Sequence, residues 1–359
     1  MTLSRIGSGS EEKPTICLVP QLTGIGGMVS FQAKLAEGLS QRGINVCYKT
    51  TETNLDAILV IGGTRHLHQL WAAKRQGMRI VQRLDGMNWI HRIKKTGGNH
   101  WVRAEYGNFI LRVIRSNLAD KIAYQSKFSK EWWERERGET RSQSVIIHNG
   151  VDLSRFQPGS TEVIQGADIQ LLLVEGSLLG GYEFGLENAV YLANELGRLS
   201  SNGRQVNLIV VGKVSDQLKE YWDNWVIDQG SGGGVKIDWS GVIDHQRIPE
   251  KYRRAHILFS ADINAACPNS VIESMASGTP VIAFDTGALA ELLNDKGGVV
   301  VPYGGNPWKI EPPDIISLAE GAKKLLNSLD DYRKSARRHA ESAFDLDIMV
   351  DRYVEVLLG

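Results

Sequence analysis

The segment ACPNSVIESMASGTPVIAF, residues 266–284, carries the residue types best suited to ligand chemistry. Ser270 followed by Glu273 fits a capping box opening a helix that ends near Gly278. The same residues read a second way. The loop from Ala265 to Asn269, leading into Asn269, Ser270 and Val271, presents backbone N–H groups to a phosphate or a sugar. Glu273, one turn in, then offers two acceptor oxygens to the cis-diol of a ribose. A second candidate is the turn TGIGGMVSF, with Gly24, Gly26 and Gly27 between a strand-like and a helix-like run. Free N–H groups there suit an anionic or hydroxyl-rich ligand, and a tight turn without a ligand is the plain alternative. The spacing is not GxGxxG and no acid closes the next strand convincingly, which disfavours a dinucleotide site.

These loops need elements to hold them. Short apolar runs (TICLVP, INVCYKT, AILVIGG, RIVQRLDG) alternate with amphipathic segments, and the rhythm repeats in IQLLLVEG, VNLIVVG, VKIDWSG, AHILFSA and TPVIAF. Such alternation implies parallel sheets covered by helices on both faces. In MVSFQAKLAEGLSQRG, Val29, Ala33, Ala36 and Leu39 are expected to form the buried face beside Phe31 and Leu35, with Gly43 ending the helix in the left-handed conformation. The expected fold is α/β, with two Rossmann-like doubly wound domains facing across a cleft. The boundaries fall at 1–14 for a disordered lead-in, 15–158 for an N-terminal domain, 159–340 for a C-terminal domain and 341–359 for a last helix. Pro158, Gly159 and Ser160 form the linker-like stretch.

Composition fits that plan. The chain has 359 residues, 42% apolar and 23% charged, near the globular average, which excludes collagen-like and disordered classes. The net charge of zero hides a division: residues 1–160 hold 23 Lys and Arg against 13 Asp and Glu, and residues 161–359 hold 18 against 28. An acidic half disfavours nucleic acid as a partner. No apolar run reaches the ~18–20 residues that cross a bilayer. Three cysteines without a CxxC pair indicate neither a disulfide framework nor a zinc site, so a reduced, cytoplasmic protein is expected.

Four segments in order, GIGGMVSFQAKLAEGLSQRG, IIHNGVDLSRFQP, IPEKYRRAHILFSAD and CPNSVIESMASGTPVIAFDTGALAELL, carry a resemblance. Together they resemble the retaining glycosyltransferases of family 4, which have the GT-B fold. The resemblance implies transfer of a sugar, with retention, from a nucleotide-sugar donor to a glycan, lipid-linked or small-molecule acceptor. It also implies a C-terminal helix that crosses back to the N-terminal domain, and no cofactor or metal beyond the donor. The base would lie near Val242 and Ile243, the ribose at Glu273, and the diphosphate near Gly26, Gly27, Asn269, Ser270 and Lys213. Two departures stand out. The first of the family's two loop glutamates falls on Ala265, with Asp262 or Asn264 as nearby substitutes. After the first C-terminal strand, Ser177 stands where an Arg is expected and no Lys accompanies Glu183; Gly180 and Gly181 are candidates to offer N–H groups instead. These losses leave a non-catalytic GT-B module that binds nucleotide-sugar or glycan as the rival reading.

In RLDGMNWIHR, Asp85 takes the strand-end position where the family often has a polar catalytic residue, and His91 follows. Either would steer the acceptor or stabilise charge near the anomeric carbon; a turn-capping Asp and a surface His are the plain alternatives. Residues 89–121 hold seven Lys and Arg against two acids, with Tyr106, Phe109, Ile110, Val113 and Ile114 as an apolar stripe. A peripheral membrane contact fits this pattern, and a core-facing stripe with a solvated basic face is the reading preferred here. Trp132 and Trp133 read as acceptor contacts or packing. DLD at 345–347 is discounted as a metal motif, because it lies in a helical region.

Overall fold

The computed structural model describes residues 13–24, 26–94, 97–159, 168–200, 204–229 and 234–359. Most of the expected lead-in, Lys95 of the basic stretch and Ser160 of the linker lie outside them.

The N-terminal sheet contains β1 (Thr15–Val19), β2 (Asn45–Cys47), β3 (Ala57–Ile61), β4 (Arg79–Leu84), β5 (Lys121–Tyr124) and β6 (Gln143–Ile146). They pair in the order β2-β1-β3-β4-β5-β6, all parallel. Helices α1 (Gly27–Gln41), α2 (Leu67–Arg75), α3 (Gly98–Val113) and α4 (Lys127–Arg137) make the connections. All five residues of β3 are buried, as a parallel strand with both faces covered requires.

The second sheet uses β7 (Ile169–Ser177), β8 (Val206–Lys213), β9 (Val235–Gly241), β10 (Ile257–Ser260), β11 (Val281–Phe284) and β12 (Gly298–Val301). Its order is β12-β11-β10-β7-β8-β9. Chain direction across the sheet reverses between β7 and β10, and ligands of open α/β sheets bind outside the carboxyl ends of the strands at such a switch point. Around it lie α5 (Glu183–Leu199), α6 (Asp216–Asp228), α7 (Ile248–Arg254), α8 (Asn269–Ala276), α9 (Leu289–Leu293), α10 (Ile315–Asn327) and α11 (Leu329–Ala343). Cys17, Cys47 and Cys267 are free and buried.

The last helix, α12 (Leu346–Leu358), returns to the first domain. Its Met349, Val350, Tyr353, Val356 and Leu357 join the core of Ile16, Leu18, Leu35 and Leu39. The Tyr353 ring meets Phe31 edge-on at 5.3 Å, and Arg42 of the N-terminal domain pairs with Asp347 and Asp351. Asp345 caps the helix by accepting the Asp347 N–H, so DLD serves α12 and its partner Arg42.

This return corrects the expected face of α1. The residues actually buried are Phe31, Gln32, Leu35, Gly38 and Leu39, while Ala33 is exposed. The helix turns its Gly38 side to α12, since only a residue without a side chain admits Val350 there: a Cβ on Gly38 would lie 2.6 Å from Val350 Cγ2. Gly43, at φ 76°, sits in the left-handed region just past the helix end as expected.

Gly38→Leu is therefore expected to lower unfolding stability by about 1–3 kcal/mol through overpacking, read by urea denaturation. Unchanged stability would mean that α12 does not dock tightly on this face.

Candidate active site

Helix α8 opens at Asn269, one residue earlier than Ser270, so its N-cap is Pro268 and no side chain caps it. The expected capping box does not form. With Pro268 as N-cap, Val271 rather than Glu273 takes the third helical position, and proline has no N–H for a side chain to accept. Glu273 turns instead into the space between the domains, where it is 5% exposed. Tyr252 donates its hydroxyl to Glu273 Oε2 at 3.4 Å, His245 Nε2 lies 3.4 Å from Oε1, and Lys34 Nζ of α1 lies 3.9 Å from Oε1.

The first glycine turn faces this helix across the cleft. Gly26, at φ 143°, precedes α1, and a Cβ on Gly27 would lie 3.6 Å from Asn269 Nδ2. Asn269 Oδ1 accepts from Asn149 Nδ2 at 2.9 Å. Ser270 is half-buried, and the Val271 side chain lies wholly in the core, which leaves only its main chain for a ligand. Ile243 is half-buried in the loop after β9 and packs on the cluster containing Tyr252 and Val271. Lys213 is exposed at the end of β8, in register with Ser177 of β7. Gly181 donates its N–H to Glu183 at 2.8 Å, so that amide already has a partner.

The strand ends at the switch point hold a feature that the sequence reading missed. Glu175, in β7, and Asp262, just past β10, are both half-buried and sense one another. Burial, with the Asp262 charge added, pushes the Glu175 carboxyl up to about 8. Burial raises Asp262 to about 6. Two acids at adjoining strand ends of the switch point were visible as letters, in VEG and SAD, but their pairing across the sheet was not. The position of the absent family glutamate, Ala265, is closed: its carbonyl accepts from Ala288 N–H at 2.8 Å, and a Cβ on Gly287 would lie 2.5 Å from its N and O. Asn264 is buried with φ 58°.

Asp85 stands at the end of β4, half-buried, with its carbonyl accepting Trp133 Nε1–H at 2.8 Å. Burial pushes its carboxyl pKa up, and Arg83 opposes the rise. His91 does not share that setting. It is buried against α3, its Nε2 lies 2.9 Å from Glu105 Oε1, and Arg92 binds the same carboxylate. Arg92 above all, with help from His91, holds Glu105 down at about 2. Trp132 and Trp133 are buried packing residues. Trp132, with Trp89 and Phe128, surrounds Trp308 of the C-terminal domain.

The two raised carboxyls give a testable sign. Their folded pKa values exceed those of the unfolded chain, so the native state binds more protons across the window from about pH 4 to pH 8. Stability is expected to fall as pH rises through that window. Glu175→Gln is expected to flatten the fall and to raise the melting temperature at pH 8 relative to wild type. An equal slope in the two proteins would show that Glu175 ionises normally.

Residues 178–328 match the family described as Glycosyl transferases group 1. Phosphatidyl-myo-inositol mannosyltransferase of Mycobacterium tuberculosis is 26% identical over 261 residues, which cover 69% of this chain and 61% of that relative. The fold is similar to that of sucrose-phosphate synthase from Thermosynechococcus elongatus, with a TM-score of 0.69 at 16% identity over 96% of this chain and 98% of the other. The Anabaena protein HepE, solved with UDP and glucose, gives a TM-score of 0.67 at 14% identity over 96% and 99%. The chain has the GT-B fold, and its residues 178–328 are similar to the glycosyl transferases group 1 family.

Proposed function

We propose that the protein is a glycosyltransferase that moves a hexose from a nucleotide-sugar to an acceptor with retention of configuration. The observation that carries this is the buried carboxylate of Glu273, one turn inside α8 and facing the Gly26–Gly27 turn across the cleft. In this reading Glu273 accepts the ribose hydroxyls, the main chain near Ile243 meets the base, and the start of α8 at Asn269, Ser270 and Val271 receives the diphosphate with Lys213 nearby. In the same reading Asp85, just past the end of β4, steers the acceptor or stabilises charge near the anomeric carbon, and His91 fixes its loop through Glu105. The helix start and amines supply the positive field, so the proposal gives a metal no part. Support from relatives is consistent: one is named a mannosyltransferase, and another was solved with UDP and glucose.

The acceptor side fits a lipid-linked substrate at an anionic membrane surface. Ile110 and Ile114 of the expected core-facing stripe are buried, but Tyr106 and Phe109 are exposed, with Trp101 and Val102 beside them. Val102, Tyr106 and Phe109 recur at helical spacing on one face of α3. Arg103 and Arg112 flank them, both exposed. Each such cation adds about 1 kcal/mol at an anionic lipid surface. Among the described residues no helix is long and apolar enough to cross a membrane, so the contact proposed is peripheral.

Two experiments test these readings. Thermal shift against UDP, GDP, ADP and their hexose conjugates is expected to single out one nucleotide, adding about 2.7 kcal/mol at 100 times its dissociation constant, with the effect lost in Glu273→Ala. Binding without sugar transfer to any acceptor would favour the non-catalytic module, for which Ala265 and Ser177 speak. Flotation with vesicles of phosphatidylglycerol and phosphatidylcholine is expected to retain the wild type at low salt. Tyr106→Ser/Phe109→Ser should reduce retention several-fold, and equal retention would dismiss the α3 contact.

A further inference from the structure

The donor reading leaves a charge problem. On the C-terminal side of the cleft the strand ends and α8 carry the carboxyl groups of Glu175, Asp262 and Glu273, of which Glu175 is largely protonated at neutral pH. Residues 161–359 are acidic as a whole, with 18 Lys and Arg against 28 Asp and Glu. A diphosphate brought to the start of α8 would meet these acids with the exposed Lys213 and the helix start as counterweight on that side, and cations of the opposite domain would add to them.

The opposite domain holds two, one half-buried and one buried. Lys34, in the third turn of α1, has a side chain only 16% exposed and lines a crevice with Phe31, Asn149, Gly150, Asn269 and Met349. Its amine donates to the Gly150 carbonyl at 3.3 Å and lies 3.9 Å from Glu273. Neither contact is the close charge-assisted bond of ~2.7–2.9 Å that an ammonium makes with a well-placed anion. Burial, first among the causes, presses the Lys34 pKa down, and Glu273 offsets this only in part. Behind it lies Arg83, 2% exposed, its guanidinium 3.8 Å over the Phe31 ring. Arg83 Nη2 donates to Asn149 Oδ1 at 2.8 Å, while its buried Nε has no hydrogen-bond partner. Among the described residues no carboxylate forms an ion pair with Arg83. Asn149 in turn touches Asn269, the first residue of α8. Burying a cation without a close opposite charge is costly; Asp85 senses the Arg83 charge without forming an ion pair with it, and Glu273 stands 3.9 Å from Lys34.

We propose that Lys34 of the N-terminal domain is the cation that binds the diphosphate of the nucleotide-sugar, with Arg83 as a fixed positive charge behind it. Lys34 exchanges its long contact with Glu273 for a phosphate oxygen, and Glu273 is released to the ribose. Diphosphate binding therefore requires both domains, because the phosphate is held by α8 on one side and by α1 on the other. The inference rests on the donor reading above.

The test compares wild type, Lys34→Met and Lys34→Arg by calorimetry with UDP, GDP and ADP, and by ligand-observed NMR with the matching nucleosides. Lys34→Met is expected to weaken the preferred diphosphate at least tenfold and to leave its nucleoside within threefold, while Lys34→Arg recovers most of the loss. The wild-type affinity for the diphosphate should fall more steeply with salt than that of Lys34→Met. Equal loss for diphosphate and nucleoside, or no loss for either, overturns the assignment while the donor reading stands. If the wild type binds none of the three diphosphates, the donor reading fails and takes this assignment with it.

Discussion

The buried amide of Asn149 is the junction on which the cleft floor is built. Arg83 of β4 donates to its Oδ1 at 2.8 Å, and its Nδ2 donates to Cys267 O and Asn269 Oδ1, each at 2.9 Å. One side chain thus ties the carboxyl end of the N-terminal sheet to the loop that starts α8. A buried polar group left without its partner costs about 1–3 kcal/mol, so this set of bonds holds the two sheets at one spacing. The next residue fixes the chain's return. A Cβ on Gly150 would lie 2.8 Å from Leu346 Cα, and Val151 exchanges backbone hydrogen bonds with Phe344 and Leu346. Outgoing and returning strands of chain are bound side by side, directly beneath the site.

The rim is held by different means. Glu291 of α9 accepts the Lys127 N–H at 2.9 Å and the Phe128 N–H at 3.4 Å, at the start of α4 in the other domain, and lies 2.9 Å from His148 Nε2. A carboxylate at a helix N-terminus meets both free N–H groups and the positive end of the dipole. Trp308 enters the cage of Trp89, Phe128 and Trp132, with Arg135 over its ring at 4.9 Å. Aromatic pairs of this kind contribute about 0.5–1.5 kcal/mol each beyond the area they bury. The rim is thus a set of separable contacts around a networked floor.

Much of the architecture was legible because parallel strands buried on both faces leave an unmistakable rhythm: AILVI and VNLIVVG read as strands, and the structure makes them β3 and β8. The face of α1 was not legible, since it depends on Val350, which meets Gly38 only after the chain has crossed both domains. The capping box failed for a local reason, an N-cap shifted by two residues from Ser270 to Pro268. Glu175 was read as the end of a strand, because an acid acquires a raised pKa only when a second acid and burial arrive from elsewhere in the fold. Nothing in the local sequence singles out Lys34. Its position opposite Glu273 belongs to the packing of one domain on the other, which no local pattern encodes.

The charge division between the two halves of the chain acquires a meaning in the cleft. Cations Lys34 and Arg83 stand on one wall and the Glu273 carboxylate on the other, while Glu175, pushed up to about 8, is largely protonated at neutral pH. Two unit charges 4 Å apart attract by about 4 kcal/mol at an effective dielectric constant near 20, before desolvation is subtracted. Attraction between the walls therefore draws the domains together when the cleft is dry, and the same charges are the ones an anionic ligand would engage. A phosphate that enters replaces a carboxylate as the partner of an existing cation, so the number of buried unpaired cations does not rise. A cleft built this way can change partners at little net electrostatic cost, because both walls carry their charges before the ligand arrives.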